Sequence, residues 1–389
     1  MLPFSIKTNK KMDKDRKIVF IIGNGFDLDL GRKTSYKDFY ESEYCPKDYP
    51  APIIQHLNNK DWHGGLDAVK WYDLENELLN YYSELEREEI PRDIITEPER
   101  TFIKAFNKND PVRERYSRYD QEINALIARG LVTLVKAENV YRALLDIPLQ
   151  EELLKPRCLR DKKALELIKE GLVDYLNSIS ENKDAYSSVA FATIFALTEC
   201  KKTGHQISIY NFNYTPLPYS YRADYEDDIY YVHGTSSNID IIVGTKDDNI
   251  SGKYEFLQKS FDPKYAPPAI VYDMLNADKV VIFGHSLGTN DSQYFKAFFK
   301  QQSSADRPIK KDITIFTKDD NSEIEIKRAL KLMTDNELSS LFSLNNLEFI
   351  KTDNIYLNPE SFRPFLRKHL IDERQVNVQI RQLKDRLTE

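Results

Sequence analysis

Apolar residues in this chain follow two kinds of pattern, and the two kinds occupy different stretches. Short, largely apolar runs lie near the start and through the second half. They are Ile18 to Ile22, Ile207 to Phe212, Ile229 to Val232, Ile239 to Val243, Lys279 to Phe283, Ile313 to Phe316 and Leu347 to Ile350. Most are rich in β-branched and aromatic side chains and have no polar face, which suits strands buried on both sides. Between the first run and the second the period changes. Leu74, Leu78, Tyr82 and Leu85 recur at intervals of 4, 4 and 3, one face of a helix. Ile123, Leu126, Ile127 and Leu131 within Gln121 to Leu145 repeat that face, as do Leu165, Ile168, Leu172 and Leu176. Ser187 to Cys200 is apolar enough for a buried helix, residues 40 to 61 read as loop, and prolines at 91, 98 and 111 mark a surface connection.

This order predicts an α/β fold: a mostly parallel, Rossmann-like sheet with helices on both faces and a large all-helical insertion. Residues 15–45 and 203–355 form the core, 46–202 the insertion and 356–389 a C-terminal helical tail. Helices are expected over 291–299 and 323–332, after two of the strands. In the tail, Val376, Ile380, Leu383 and Leu387 are spaced 4, 3 and 4, an a/d seam of about two heptads. So short a seam serves either docking on its own domain or pairing with a second copy as a homo-oligomer.

Composition narrows the classes. The 389 residues are 41% apolar, enough for a packed interior and long for one ordinary core. No run approaches about 18 apolar residues, so no membrane span is expected, and no secretory signal is visible at the N-terminus. Cys45, Cys158 and Cys200 are far apart, match no zinc spacing and are odd in number, which fits a reducing cytoplasm. A net charge of −7 argues against bulk electrostatic binding of nucleic acid and leaves only a local basic groove open.

Chemistry is expected where the strands end, because open α/β sheets bind ligands at their carboxyl edge. The first strand ends in Gly23-Asn24-Gly25-Phe26-Asp27, a turn that fits backbone amides aimed at a phosphate, although Leu28 breaks the full G-x-G-x-x-G pattern. A second strand ends in Asn211-Phe212-Asn213-Tyr214-Thr215, another in His233-Gly234, and another in Gly284-His285-Ser286-Leu287-Gly288, followed by Asp291. A neutral histidine and an asparagine can manage a hydroxyl or a water near pH 7 without fixed charge. Asp27 can accept from a ribose hydroxyl or cap the following helix.

Several of these segments carry a resemblance. GNGFDL, then Thr34, Ser35, Tyr36, Asp38 and Phe39, then Trp71 to Glu75, Asn211 to Thr215, and Gly284 to Gly288 with Asp291 and Tyr294-Phe295 resemble the AbiH family of phage abortive-infection proteins. Leu30 and Arg32-Lys33 depart from that family's usual pattern, so no role is carried onto position 30. The resemblance implies a cytoplasmic antiphage protein acting with a phage-derived trigger or host partner. The order of strand ends is also similar to the sirtuin-like superfamily, with Asn213-Tyr214 and His233-Gly234 where that superfamily has its asparagine motif and its His-Gly pair. That similarity implies NAD or a related nucleotide as ligand and NAD cleavage as the reaction. It makes Asn213 and His233 catalytic. Gly23, Asn24, Gly25, Phe26, Asp27, Gly284, His285, Ser286 and Asp291 become cofactor-binding, with no metal.

Two other readings stay open. Gly284 to Gly288 matches G-x-S-x-G, the nucleophile elbow of serine hydrolases, with Ser286 as nucleophile. The histidine that follows it in the chain is His369, in a charged segment. A nucleotide-binding regulator or a nuclease acting with a partner would use the insertion as its docking surface. Asp73 and Glu75, two apart, do not share a helix face, and Glu75 reaches the strand ends only if the insertion folds over them.

Overall fold

The computed structural model describes residues 17–59, 74–86, 155–179, 188–202, 204–247, 250, 252–306 and 309–353. The helix expected over Gln121 to Leu145, the tail seam and the Trp71 to Asp73 part of the motif lie outside the described residues.

Six strands form one sheet: β1 (Lys17–Ile22), β2 (Gln206–Asn211), β3 (Ile229–Tyr231), β4 (Lys279–Phe283), β5 (Asp312–Thr317) and β6 (Asn346–Lys351). Their order is β3-β2-β1-β4-β5-β6 and every neighbouring pair is parallel. This is the doubly wound Rossmann order, and its direction reverses between β1 and β4. The inner strands β1, β4 and β5 have the double burial their pattern implies, while the edge strands β3 and β6 are only half-buried. Ile18, Phe20 and Ile22 of β1 pack into one cluster with the helix Val189–Lys202 and with Val281 and Phe283. Val19 and Ile21 point to the opposite face, where the helices Ile270–Asn276, Lys296–Gln302 and Asp320–Met333 supply Met274, Phe298, Phe299 and Leu330.

A third cluster is helical. Pro52–Asn59, Leu74–Glu86 and Arg157–Ser178 bury Ile53, Leu78, Leu165 and Leu172 against one another. Asp161 is fixed inside it, accepting from the Tyr81 hydroxyl at 2.6 Å and the Ile53 amide at 3.0 Å. Ile241, Val243 and Leu257 join this cluster, so the helices rest on the segment after β3.

Two expectations fail locally. Residues 239 to 243 form no strand. Ile239 takes a left-handed φ of 56°, and the Ile242 amide donates to the His233 carbonyl at 2.8 Å instead of to a sheet neighbour. Its apolar side chains serve the helical cluster. Residues 40 to 61 are not all loop either, because Pro52 opens a helix to Asn59. Proline is tolerated there because its missing N–H would be unpaired in a first turn anyway.

Candidate functional site

The site is assembled from the carboxyl ends of β1, β2 and β4 and the turn after β3. Its frame is two glycine turns in contact. The Gly23 amide donates to the Phe283 carbonyl, Gly25 to Gly284 and Phe26 to Gly23, each at 2.9 Å. A Cβ on Gly25 would lie 2.6 Å from Gly284 Cα, and one on Gly23 would lie 2.5 Å from His285 Cα. Gly284 itself has φ +62°, which favours glycine. Three amides expected at a phosphate thus join one turn to the other and close the first helix turn. Phe26 is core, edge-on to Phe20 and Phe283.

Asp27 clamps β1 to β2. Its Oδ1 accepts from Arg32 Nη1 at 2.9 Å, and its Oδ2 accepts from Asn213 Nδ2 at 2.9 Å and from the Thr215 hydroxyl. Burial pushes the Asp27 pKa up, while Arg32, Thr215 and Asn213 pull the other way. Asn213 Nδ2 also donates to the Gly23 carbonyl at 3.1 Å, which fixes the orientation of the carboxamide. Both amide hydrogens are used, so Oδ1 is the polar atom Asn213 offers to a ligand.

The other half centres on Asp291, in the short 3₁₀ helix Thr289–Tyr294. Its Oδ1 lies 3.0 Å from His233 Nε2 and 3.0 Å from Lys259 Nζ, and its Oδ2 lies 3.4 Å from His285 Nε2. Lys259 is 1% exposed and also reaches Glu75 Oε2 at 2.9 Å. Burial works to discharge Lys259, but Glu75 and Asp291 overcome it and raise its pKa. Burial would likewise neutralise Asp291, but Lys259 and then His233 hold it well below the usual carboxylate range. An ion pair taken this far out of water persists only with such multiple partners.

The two histidines are set differently. The Leu287 amide donates to His285 Nδ1 at 2.9 Å, so the His285 proton sits on Nε2, toward Asp291. His233 is lowered to about 4, by burial first and by Lys259 second, and is therefore neutral near pH 7. Its contact to Asp291, which can only accept, is shorter than the 3.3 Å to Lys259, and this puts the ring proton on Nε2. Nδ1 is then a bare acceptor, buried and without a hydrogen-bond partner. Phe212, Tyr214 and Tyr294 surround the ring.

A cavity of about 270 Å³ opens over these groups, at the point where the sheet order reverses. It brings together Asn213, His233, Gly23, Asn24, Asp27, Gly284, His285, Ser286 and Asp291. Gly25 and Phe26 do not line it. Glu75 does line it, so the helix Leu74–Glu86 folds over the strand ends. Ser286 Oγ accepts from the Gly288 amide at 3.3 Å, while His233 Nε2 and both ring nitrogens of His285 face other partners and His233 Nδ1 has none. The left-handed residues of this turn are Gly284 and Leu287, not Ser286, so the strain of a nucleophile elbow is not on the serine. His369 lies outside the described residues.

Lys259 escaped sequence reasoning, because a lone lysine before Ser260-Phe261 in a polar stretch reads as a solvated charge. The T-S-Y-x-D-F segment divides by role. Ser35 and Asp38 form a capping box on the helix Tyr36–Glu41, Phe39 is buried, and Thr34 and Tyr36 line the cavity. The S-x-x-D spacing was a visible signal for the cap.

Residues 19–310 match the family model described as "Bacteriophage abortive infection AbiH". No curated protein and no solved structure matches the chain. Among the described residues, no helix is long and apolar enough to cross a membrane.

Proposed function

Because this chain belongs to the AbiH family of bacteriophage abortive infection, we propose that it defends a cell against phage by cleaving the N-ribosyl bond of NAD or a related nucleotide in the cavity at the strand ends. The observation that carries this reading is His233: neutral, oriented by an ionised Asp291, lining the cavity, and with a buried, unpaired Nδ1. In the step, a water oxygen bonds to the ribose C1′ and its proton passes to His233 Nδ1. The C1′–N bond breaks, and its electron pair stays on the nicotinamide nitrogen. Positive charge builds on the sugar as the bond breaks, and carboxylates nearby favour it. Asn213 Oδ1 accepts from a ribose hydroxyl and fixes the sugar. Nδ1 is closed to bulk water, so substrate entry has to shift the ring or the aromatic side chains around it.

The test is nicotinamide release by the purified full chain incubated with NAD, with the His233→Ala protein as control. Release by wild type alone, together with plaque loss in cells expressing wild type but not His233→Ala, is the expected result. Equal release by both proteins, or none by either, overturns the assignment.

A further inference from the structure

The described cavity wall carries carboxylates and no cation to balance an anion. No lysine or arginine is among its described lining residues. The nearest cations, Arg32 and Lys259, are buried and bound to Asp27 and to Glu75 and Asp291. The amides of Gly23, Gly25 and Phe26 end on carbonyls. The wall holds the carboxylates of Asp27, Glu75 and Asp291, Asn213 Oδ1, and His233, whose bare Nδ1 is buried. Of its hydroxyls, Thr34 donates to Asn24 Oδ1, Tyr214 to the Ile242 carbonyl and Thr215 to Asp27, which leaves uncharged donors such as the Asn24 carboxamide and the Ser286 hydroxyl. A phosphate would meet three carboxylates and, among the described lining residues, only uncharged donors to offset its desolvation. A sugar offers hydroxyl donors, and a pyridinium offers positive charge to the carboxylates.

We infer that the cavity takes the riboside end of its ligand, a sugar carrying a cationic or neutral base, and that any phosphate stays outside. This rests on the N-riboside reading above and departs from the usual Rossmann arrangement, in which the glycine turn holds the phosphate. Glu75, brought in by the helix Leu74–Glu86, becomes a specificity residue for the cation.

Calorimetric titration of the full chain decides it, with three probes: nicotinamide riboside, its 5′-monophosphate, and inorganic pyrophosphate. The riboside is expected to bind, the added phosphate to change its affinity by less than about tenfold, and pyrophosphate not to displace it. Glu75→Gln should weaken the riboside by roughly tenfold, the scale of one charge-assisted contact. A phosphate that tightens binding tenfold or more, displacement by pyrophosphate, or no binding of the riboside overturns the inference. The wild-type series gives this answer even where the variant fails to fold. If NAD is not cleaved but the riboside still binds, the reaction assignment falls and the inference about the ligand stands.

Discussion

Two aspartates meet at this rim, and their surroundings separate a structural carboxylate from a chemical one. Asp27 is 2% exposed and accepts from an arginine, an asparagine and a threonine. All of these groups belong to the turns that Asp27 holds together, and its pKa is pushed up by burial. Asp291 is held by a lysine and two histidines, and its pKa is pulled down. One histidine it orients is left with an unpaired nitrogen. Burial alone therefore does not mark a reacting group. An unspent polar atom on a group that a charge keeps in place does.

The comparison breaks most sharply at His233. His233→Ala should lower nicotinamide release by about 10²–10⁴-fold, the usual worth of a general base, and the loss should persist in the molecules that remain folded. An Asp27→Ala protein should behave in the opposite way. It removes the ion pair of Arg32 and costs about 3–5 kcal/mol of stability, read by urea unfolding, while the molecules that remain folded keep much of their activity, because Asn213 loses only one of the two acceptors that orient it. If Asp27→Ala is stable and inactive, the two aspartates have been assigned the wrong way round.

A smaller effect sharpens the same contrast. His233 has a folded pKa of about 4 against 6.5 unperturbed, so between those values the unfolded chain binds the extra proton. Stability should therefore fall as pH drops from about 6.5 towards 4, by about 2 kcal/mol by pH 5. That slope should be missing from a His233→Phe protein measured in parallel, where other titrating groups cancel. The acid limb of activity should also lie well below pH 6.5. An acid limb at 6.5 would mean that the ring is not held neutral by its surroundings.

The sheet was legible because six of seven apolar runs lie in strands, and the four inner ones are largely buried, where pattern and environment agree. The run at 239 to 243 misled because its apolar side chains serve the helical cluster, and periodicity does not say which core a residue joins. Strand-end position pointed to Asn213 and His233 and the family motif to Asp291, and all three line one cavity. The purpose of the glycines was not legible. A glycine that approaches a phosphate and one that approaches Gly284 look alike in sequence, and only the contact distances tell them apart. Gly25→Val therefore tests the packing of two turns, not a ligand contact. Lys259 was hidden for a related reason: nothing local shows that two distant carboxylates will close over it.

Ser286 gives the smallest effect and the cleanest division between reactions. Its hydroxyl lies at the cavity wall and accepts from the Gly288 amide, with no histidine nitrogen among its described partners. In N-riboside cleavage it contributes one hydrogen bond, so Ser286→Ala should cost about 1 kcal/mol, less than tenfold in rate. In a serine hydrolase it is the nucleophile, and its removal would cost all the covalent chemistry. The two expectations differ by orders of magnitude in the same variant. A fluorophosphonate probe adds a readout that does not depend on knowing the substrate, since it labels only a serine whose proton a base removes. No labelling, and less than a tenfold loss, are the results expected of a turn whose strained backbone sits at Gly284 and Leu287 and whose serine has been left an ordinary alcohol.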